Sequence, residues 1–181
     1  MAMTRTWVVY ESMFGNTREV ASAVAEGLGG AGPVELHEVS AAGPLPPDLD
    51  LLVVGAPTHA FGLSRPSSRD DASSKSGHPV ESALMGVREW LESIEPGRTG
   101  TAFATFDTRV SHPRVPGSAA KKAAKRLRKL GLTQAVPPES FWVHGLEGPL
   151  DEGELERAGA WGRALTEAGA PERGVRRHQR P

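Results

Sequence analysis

The chain of 181 residues has no cysteine, a single tyrosine and no long apolar run. The lack of cysteine excludes disulfides, iron–sulfur clusters or zinc held by thiolates, and a catalytic thiol. Any redox chemistry must therefore come from a bound organic cofactor or from a metal held by other ligands. No segment approaches the ~18 apolar residues that span a bilayer, and residues 1–7 lack the apolar core of a signal peptide. We expect a cytoplasmic protein that does not bind membranes.

Positive and negative charges nearly cancel, with 21 Lys and Arg against 22 Asp and Glu, so nothing favours a nucleic-acid partner. The small net charge also predicts that association with a partner depends only weakly on salt. Residues 1–170 suit a single domain, and residues 171–181, with four arginines and two prolines, predict a disordered basic tail. One later helix has a basic outer face, interpreted as a solvated surface, with a docking patch for an acidic partner as the alternative: Lys121, Lys122, Lys125, Arg126, Arg128 and Lys129.

Short apolar runs alternate with amphipathic segments along most of the chain. The apolar runs predict strands over 6–10, 34–39, 51–55, 101–106 and 140–144. Helical spacing predicts helices over 17–28, 80–94, 118–130 and 150–165, with 62–80 as a long surface loop. Such alternation requires right-handed crossovers and a parallel sheet that is covered on both faces. The predicted fold class is therefore α/β, a doubly wound five-stranded parallel sheet with strand order 2-1-3-4-5.

The strongest chemical signal lies between the first strand and the first helix. In a doubly wound sheet, ligands bind outside the carboxyl ends of the strands, beside strand one. Hydroxyl and amide side chains, a flexible glycine and the free N–H groups of a helix start favour a phosphate dianion there. The same residue types also cap helices, and it is the place after strand one that favours phosphate. The predicted phosphate loop consists of Ser12, Met13, Phe14, Gly15, Asn16 and Thr17.

The segment VVYESMFGNTREVASAV, residues 8–24, resembles the flavodoxin signature. The order and lengths of the predicted strands extend this resemblance to short-chain flavodoxins over residues 5–168. The resemblance implies bound FMN, with its phosphate on the backbone N–H groups of residues 13–17 and on the hydroxyls of Ser12 and Thr17. Phe14 stands where flavodoxins commonly have Thr or Ser. One neutral hydrogen bond to the phosphate is then lost, which lowers the affinity for FMN about tenfold without abolishing it.

The same resemblance implies two ring-binding loops, at the ends of strands three and four. His59 stands where related flavodoxins often have Trp, and the tyrosine that often covers the ring is absent. Backbone groups of residues 105–109 are expected to bond the pyrimidine edge, and Arg109 to favour reduced, anionic flavin. Plain loop packing and a surface ion pair between Asp107 and Arg109 are the alternatives. The ring-binding residues predicted in this way are Pro57, Thr58, His59, Ala60, Phe61, Gly62, Thr105, Phe106, Asp107, Thr108 and Arg109.

The function implied by these residues is electron transfer. We expect an FMN-binding protein that shuttles electrons between redox partner proteins, a reductase that donates and a protein that accepts. No catalytic residue and no metal ligand set is recognised in the sequence, because the flavin itself would carry the chemistry. Two alternatives stay open. One is an FMN-dependent oxidoreductase that acts on NAD(P)H and a quinone or porphyrinogen. The other is a flavodoxin-like module that has lost flavin binding, since fold does not guarantee function.

Overall fold

The computed structural model describes residues 4–168, so the predicted tail at 171–181 lies outside the described residues. One parallel sheet forms the centre of the fold. Its strands are β1 (Thr6–Tyr10), β2 (Val34–Glu38), β3 (Leu51–Pro57), β4 (Ala102–Val110), β5 (Thr133–Gln134) and β6 (Glu139–Val143). They lie in the order β2-β1-β3-β4-β5, and β6 also pairs with β4. The predicted doubly wound α/β fold with order 2-1-3-4-5 is confirmed.

The fifth position of the sheet is shared by two short strands. β5 pairs with the start of β4 at Ala102 and Phe103, and β6 pairs with its second half. Between them lie Pro137 and Pro138, which have no N–H to donate to a ladder. The pairing is therefore interrupted for a few residues and resumes where donors are available.

Five α-helices cover the sheet, together with a 3-10 turn at Val39–Ala41. They are α1 (Asn16–Leu28), α2 (Pro66–Ser76), α3 (Val87–Ser93), α4 (Ala119–Lys129) and α5 (Glu154–Ala168). On one face of the sheet, Val8 and Phe106 belong to the core under α1 and α5. On the other, Val9 and Phe103 belong to the core under α3 and α4. Both faces of the central strands are therefore buried, as a parallel sheet requires.

Two predicted segments between β3 and β4 are wrong. The predicted loop over 62–80 contains α2, and the predicted helix over 80–94 is helical only from Val87, with Leu84 91% exposed. Because α2 buries only Arg69 and Ala72, it has no apolar stripe for periodicity to detect. Pro66 at its first position is a local helix-start signal. β4 also continues beyond its predicted end to Val110. Most of the additional residues are polar, so the apolar run ends before the strand does, but they remain paired in the sheet.

Helices α1 and α5 approach each other so closely that glycine is required at the contact. A Cβ at Gly162 would lie 2.4 Å from the carbonyl oxygen of Val24, and one at Gly27 would lie 2.3 Å from that of Gly159. Real Cβ atoms do not come this close to backbone atoms that cannot move aside. A Cβ at Gly159, by contrast, would make only ordinary contacts at 3.6 and 3.7 Å.

We expect Gly162→Ala to lower the free energy of unfolding by about 1–3 kcal/mol through overpacking. This loss would occur although alanine favours a helix by about 1 kcal/mol over glycine. Gly159→Ala, in the same helix, is the matched control and should leave stability unchanged or raise it. Urea unfolding of the two variants tests the close contact between α1 and α5. Equal effects of the two substitutions on the free energy of unfolding would contradict it.

Candidate functional site

A cavity of about 540 Å³ opens at the carboxyl ends of β1, β3 and β4. This is within the ~300–1,000 Å³ typical of small-molecule sites, at the place where doubly wound sheets bind ligands. Its wall is formed by the loop after β1, the turn after β3, the end of β4 with the loop that follows, the loop after β6, and α2. The lining residues are Ser12–Phe14, Asn16, Thr17, 57–60, Ser68, Asp71, Ala72, Lys75, 108–110, His112, Pro113, Val115, Val143, Gly145 and Leu146.

The loop after β1 presents unbonded N–H groups to this cavity. Gly15 adopts a left-handed conformation with φ of 96°, and its N–H donates to Ser12 Oγ at 3.0 Å. Helix α1 begins at the next residue. Within residues 4–168, the backbone N–H groups of Met13, Phe14, Asn16 and Thr17 have no hydrogen-bond acceptor. Four unpaired donors beside the positive end of a helix dipole form a site for an anion.

Two polar side chains of this loop also connect it to the rest of the cavity. The hydroxyls of Thr17 and Thr108 are 2.7 Å apart and buried, which links α1 to the end of β4. The Asn16 amide donates to the carbonyl of Glu147 at 3.0 Å. A Cβ at Gly148 would lie 2.5 Å from Asn16 Oδ1, so the loop after β6 fits closely against the loop after β1. The loop is therefore held in place by the residues that we expected to bind phosphate.

Phe14, the departure from the family pattern, has a structural role. Its ring packs against the apolar cluster of Met13, Ala72 and Val80. It also meets His78 edge-on, with ring centroids 5.9 Å apart. Phe14 therefore connects α2, and the segment that follows it, to the loop after β1. Sequence reasoning missed the cavity residues of α2, Ser68, Asp71 and Lys75, because this segment was predicted to be a loop.

The turn after β3 supplies only part of the predicted ring-binding loop. Pro57, Thr58, His59 and Ala60 line the cavity, whereas Phe61 and Gly62 do not. His59 and Gly62 exchange backbone hydrogen bonds of 2.9 Å and close a tight turn. Phe61 is at its tip with φ of 68°, is 71% exposed and is not part of the cavity wall.

Three of the five predicted residues at the end of strand four, Thr105, Phe106 and Asp107, are not in the cavity wall. The Thr105 hydroxyl donates to the carbonyl of Ala120 at 3.0 Å, and Phe106 is in the core. Asp107 is fully buried and forms no surface ion pair with Arg109 within the described residues. Its carboxylate instead accepts hydrogen bonds from the hydroxyls of Thr58, Ser118 and Ser140, at 3.0, 2.6 and 2.6 Å, and from the N–H of Ala120 at 3.1 Å.

Thr108 and Arg109 do line the cavity, and Arg109 also shapes the loop that follows. Its guanidinium donates to the carbonyl of Val115 at 3.1 Å and lies 5.4 Å from the centroid of Trp142. Arg114 lies over the same ring at 4.9 Å. The cation–π contacts hold residues 112–115 at the cavity edge. Sequence reasoning did not find Trp142, because its partners are distant in the chain.

A buried polar network lies behind the turn after β3. Glu11, at the end of β1, accepts from the Val87 N–H at 2.8 Å and from the Ser64 hydroxyl. Arg69 of α2 donates to Ser64 Oγ at 3.0 Å and pairs with Glu89 at 3.2 Å. Burial raises the pKa of the Glu11 carboxyl, while the two hydrogen bonds and the charge of Arg69 oppose that rise. The network attaches α2 and α3 to the sheet.

His59 is the titratable group of the cavity wall whose pKa is most altered. Burial and, to a lesser extent, the positive charge of Arg69 lower its pKa from 6.5 to about 4. The imidazole is therefore neutral near neutral pH and offers one donor and one acceptor.

Comparison with known families shows to which family the chain belongs. Residues 8–161 match the family model described as flavodoxin. The chain belongs to the flavodoxin family. Flavodoxins bind FMN and transfer electrons together with redox partner proteins. No curated protein matches the sequence, and within residues 4–168 no helix is long and apolar enough to cross a membrane.

Solved structures support the same fold at low sequence identity. A flavodoxin from the domain Archaea is 18% identical with a TM-score of 0.61, and the match covers 92% of this chain and 99% of that one. Flavodoxin 1 from Bacillus cereus is 17% identical with a TM-score of 0.61, over 91% and 98%. A flavodoxin, WrbA-like protein from Agrobacterium tumefaciens is 22% identical with a TM-score of 0.54, over 92% and 97%. Identities this low show the fold alone.

The residues present in this flavodoxin fit FMN. The unbonded N–H groups of the loop after β1 suit a phosphate, and the Ser12 and Thr17 side chains border the same space. The turn after β3 and the loop after β4 provide apolar and backbone surface for a ring. Lys75 and Arg109 add two positive charges to the wall against the one negative charge of Asp71. The excess of positive charge suits a phosphate-bearing ligand.

We expect the neutral state of His59 to give the protein a specific pH dependence. Its folded-state pKa of about 4 is below the value of 6.5 for an unperturbed histidine, so the unfolded chain binds the proton first. Stability is therefore lost as pH falls from 6.5 towards 4. Relative to the unsubstituted protein, His59→Gln should gain on the order of 2 kcal/mol between about pH 7 and about pH 5.

Urea unfolding of both proteins at the two pH values measures this gain. Glu11 is present in both, so its own titration cancels in the difference. Parallel stability curves for the two proteins over this pH range would show that His59 titrates normally.

Proposed function

We propose that this protein binds FMN in the cavity at the carboxyl ends of β1, β3 and β4, and carries electrons between redox partner proteins. The observation that supports this proposal best is the set of unbonded N–H groups of Met13, Phe14, Asn16 and Thr17, next to the start of α1. The phosphate of FMN would accept from them, with the Ser12 and Thr17 hydroxyls as further donors. Flavodoxin family membership supports the choice of FMN over other phosphate ligands.

The flavin would supply the electron-transfer chemistry, and the protein would position it and set its surroundings. The backbone of Pro57, Thr58 and Ala60 and the loop at 112–115 would border the ring. The neutral imidazole of His59 would offer it a hydrogen bond without adding charge. Arg109 would stabilise negative charge on a reduced flavin, since opposite charges attract most strongly where water is partly excluded.

A second candidate function rests on α2. Helix α2 adds Ser68, Asp71 and Lys75 to the cavity wall, so the cavity has polar groups beyond those that a phosphate needs. Such groups would suit an FMN-dependent oxidoreductase that transfers electrons from NAD(P)H to a small acceptor such as a quinone. Steady NAD(P)H oxidation with a quinone and no partner protein would favour this function over the carrier.

Titration with FMN and riboflavin, followed by flavin fluorescence, tests the binding site. We expect FMN to bind much more tightly than riboflavin, because only FMN has the phosphate. Ser12→Ala and Thr17→Val should each raise the Kd for FMN about 5- to 150-fold, the effect of about 1–3 kcal/mol for a lost bond to a charged acceptor. Their Kd for riboflavin should stay unchanged.

Thr99→Val, in an exposed turn after α3, is the matched control and should bind FMN as the unsubstituted protein does. Equal affinity for FMN and riboflavin would contradict the phosphate loop. No binding of either flavin would favour the remaining alternative, a flavodoxin-like module without a flavin.

A further inference from the structure

The outer face of α4 is strongly basic and unpaired. Its six basic residues are all exposed, and within residues 4–168 none of them forms an ion pair with a carboxylate. The whole chain has a net charge of −1, so the residues outside this helix face together have a negative net charge. We call this surface the α4 face: Lys121, Lys122, Lys125, Arg126, Arg128 and Lys129.

The first half of the α4 face is unfavourable for the helix that bears it, whereas Arg126, Arg128 and Lys129 lie in the last turn, where the helix dipole favours positive charge. Lys121, Lys125 and Lys129 follow one another at a spacing of four, and like charges at this spacing destabilise a helix. Lys121 and Lys122 also lie in the first turn, at the positive end of the helix dipole. The helix forms nevertheless, because its apolar side is buried in the core and the Asp107 carboxylate accepts from its first turn. The helix dipole therefore accounts for the charges of the last turn but not for Lys121, Lys122 and Lys125.

The α4 face begins at the edge of the cofactor cavity. A Cβ at Gly62 would lie 2.9 Å from Lys122 Cγ, so the lysine stem packs on the turn that bears His59 and Ala60. Phe61, 71% exposed, is at the tip of that turn. From there a shallow depression of about 150 Å³ runs between α3 and α4, where Arg88 adds a further positive charge and Glu92 a single negative one.

We propose that the α4 face, together with Phe61, is the docking surface for an acidic electron-transfer protein. This inference rests on the proposed function, because a partner seated there would touch the turn that lines the flavin cavity. Opposite charge would steer the partner to this face, and the exposed aromatic ring would act as an apolar anchor beside it.

The charge segregation changes the salt dependence expected from the net charge. A net charge near zero predicts weak dependence, but a partner that docks on the α4 face meets several positive charges within about one Debye length. Association through this face should therefore weaken steeply with added salt, in spite of the almost neutral chain.

The test uses the FMN-loaded protein and plant-type ferredoxin, an acidic iron–sulfur protein, as electron donor. Lys125→Glu/Lys129→Glu reverses two charges on the α4 face, and Arg163→Glu on α5 reverses one on the opposite side of the sheet. The double substitution changes only exposed side chains: the two new carboxylates repel each other as the two lysines do, while each gains a basic neighbour three residues away, at Lys122 or Arg126. Stopped-flow absorbance measures the bimolecular rate of flavin reduction by photoreduced ferredoxin at low and at physiological salt.

We expect the rate for the unsubstituted protein to fall about tenfold between about 20 mM and 200 mM salt. At low salt the double variant should react about tenfold more slowly, and Arg163→Glu within about twofold of the unsubstituted protein. Reduction by dithionite should be the same for all three, which shows that the flavin site is intact. Equal ferredoxin rates for the double variant and for Arg163→Glu would overturn the docking surface.

A second measurement does not depend on flavin. Calorimetry gives the Kd of each protein, without FMN, for oxidised ferredoxin at low salt. Binding that is lost in the double variant and kept in Arg163→Glu supports the docking surface even if FMN fails to bind and the proposed function is wrong. Binding of a DNA duplex as tightly as ferredoxin would overturn the assignment to an acidic protein.

Discussion

The buried carboxylate of Asp107 is the interaction on which the site depends most. It joins β4 to three other segments. One donor comes from the turn after β3, two come from the start of α4 and one comes from β6. A buried carboxylate is costly unless donors surround it, and here four of them do. One side chain therefore holds three features in position: Thr58 at the cavity wall, the start of α4 and strand β6.

Glu11 has the corresponding role on the other side of β3. It follows β1 as Asp107 lies near the end of β4, and it too is fully buried and accepts from the start of a helix, at the N–H of Val87. Through Ser64 it meets Arg69, whose positive charge adds to burial in lowering the pKa of His59. Two internal carboxylates thus frame the cavity without lining it.

These carboxylates also show which parts of the fold and the site could be predicted from the sequence and which could not. The strand order and the four cavity residues Pro57–Ala60 follow from local patterns, namely apolar runs, helix starts and a family signature, and the assignment of the loop after β1 to a phosphate stays a prediction. Asp107 and Glu11 could not be assigned in this way, because a charged residue in a sequence predicts exposure unless its partners are known. The same holds for α2, whose buried residues are an arginine and an alanine. Where polar contacts between distant segments replace an apolar stripe, periodicity carries no information.

Helix α2 contributes to the cavity wall but is attached to the fold by few contacts. Its anchors are the ion pair of Arg69 and a small apolar cluster that includes Met13 and Phe14 of the phosphate loop. A segment with so little buried apolar surface opens locally at lower free energy than the central sheet. A ligand bound to the loop after β1 would also stabilise the surface on which α2 packs, so ligand binding and the packing of α2 would be thermodynamically linked. Phe14, where flavodoxins commonly have a hydroxyl, contributes the contact that couples this loop to the cavity wall.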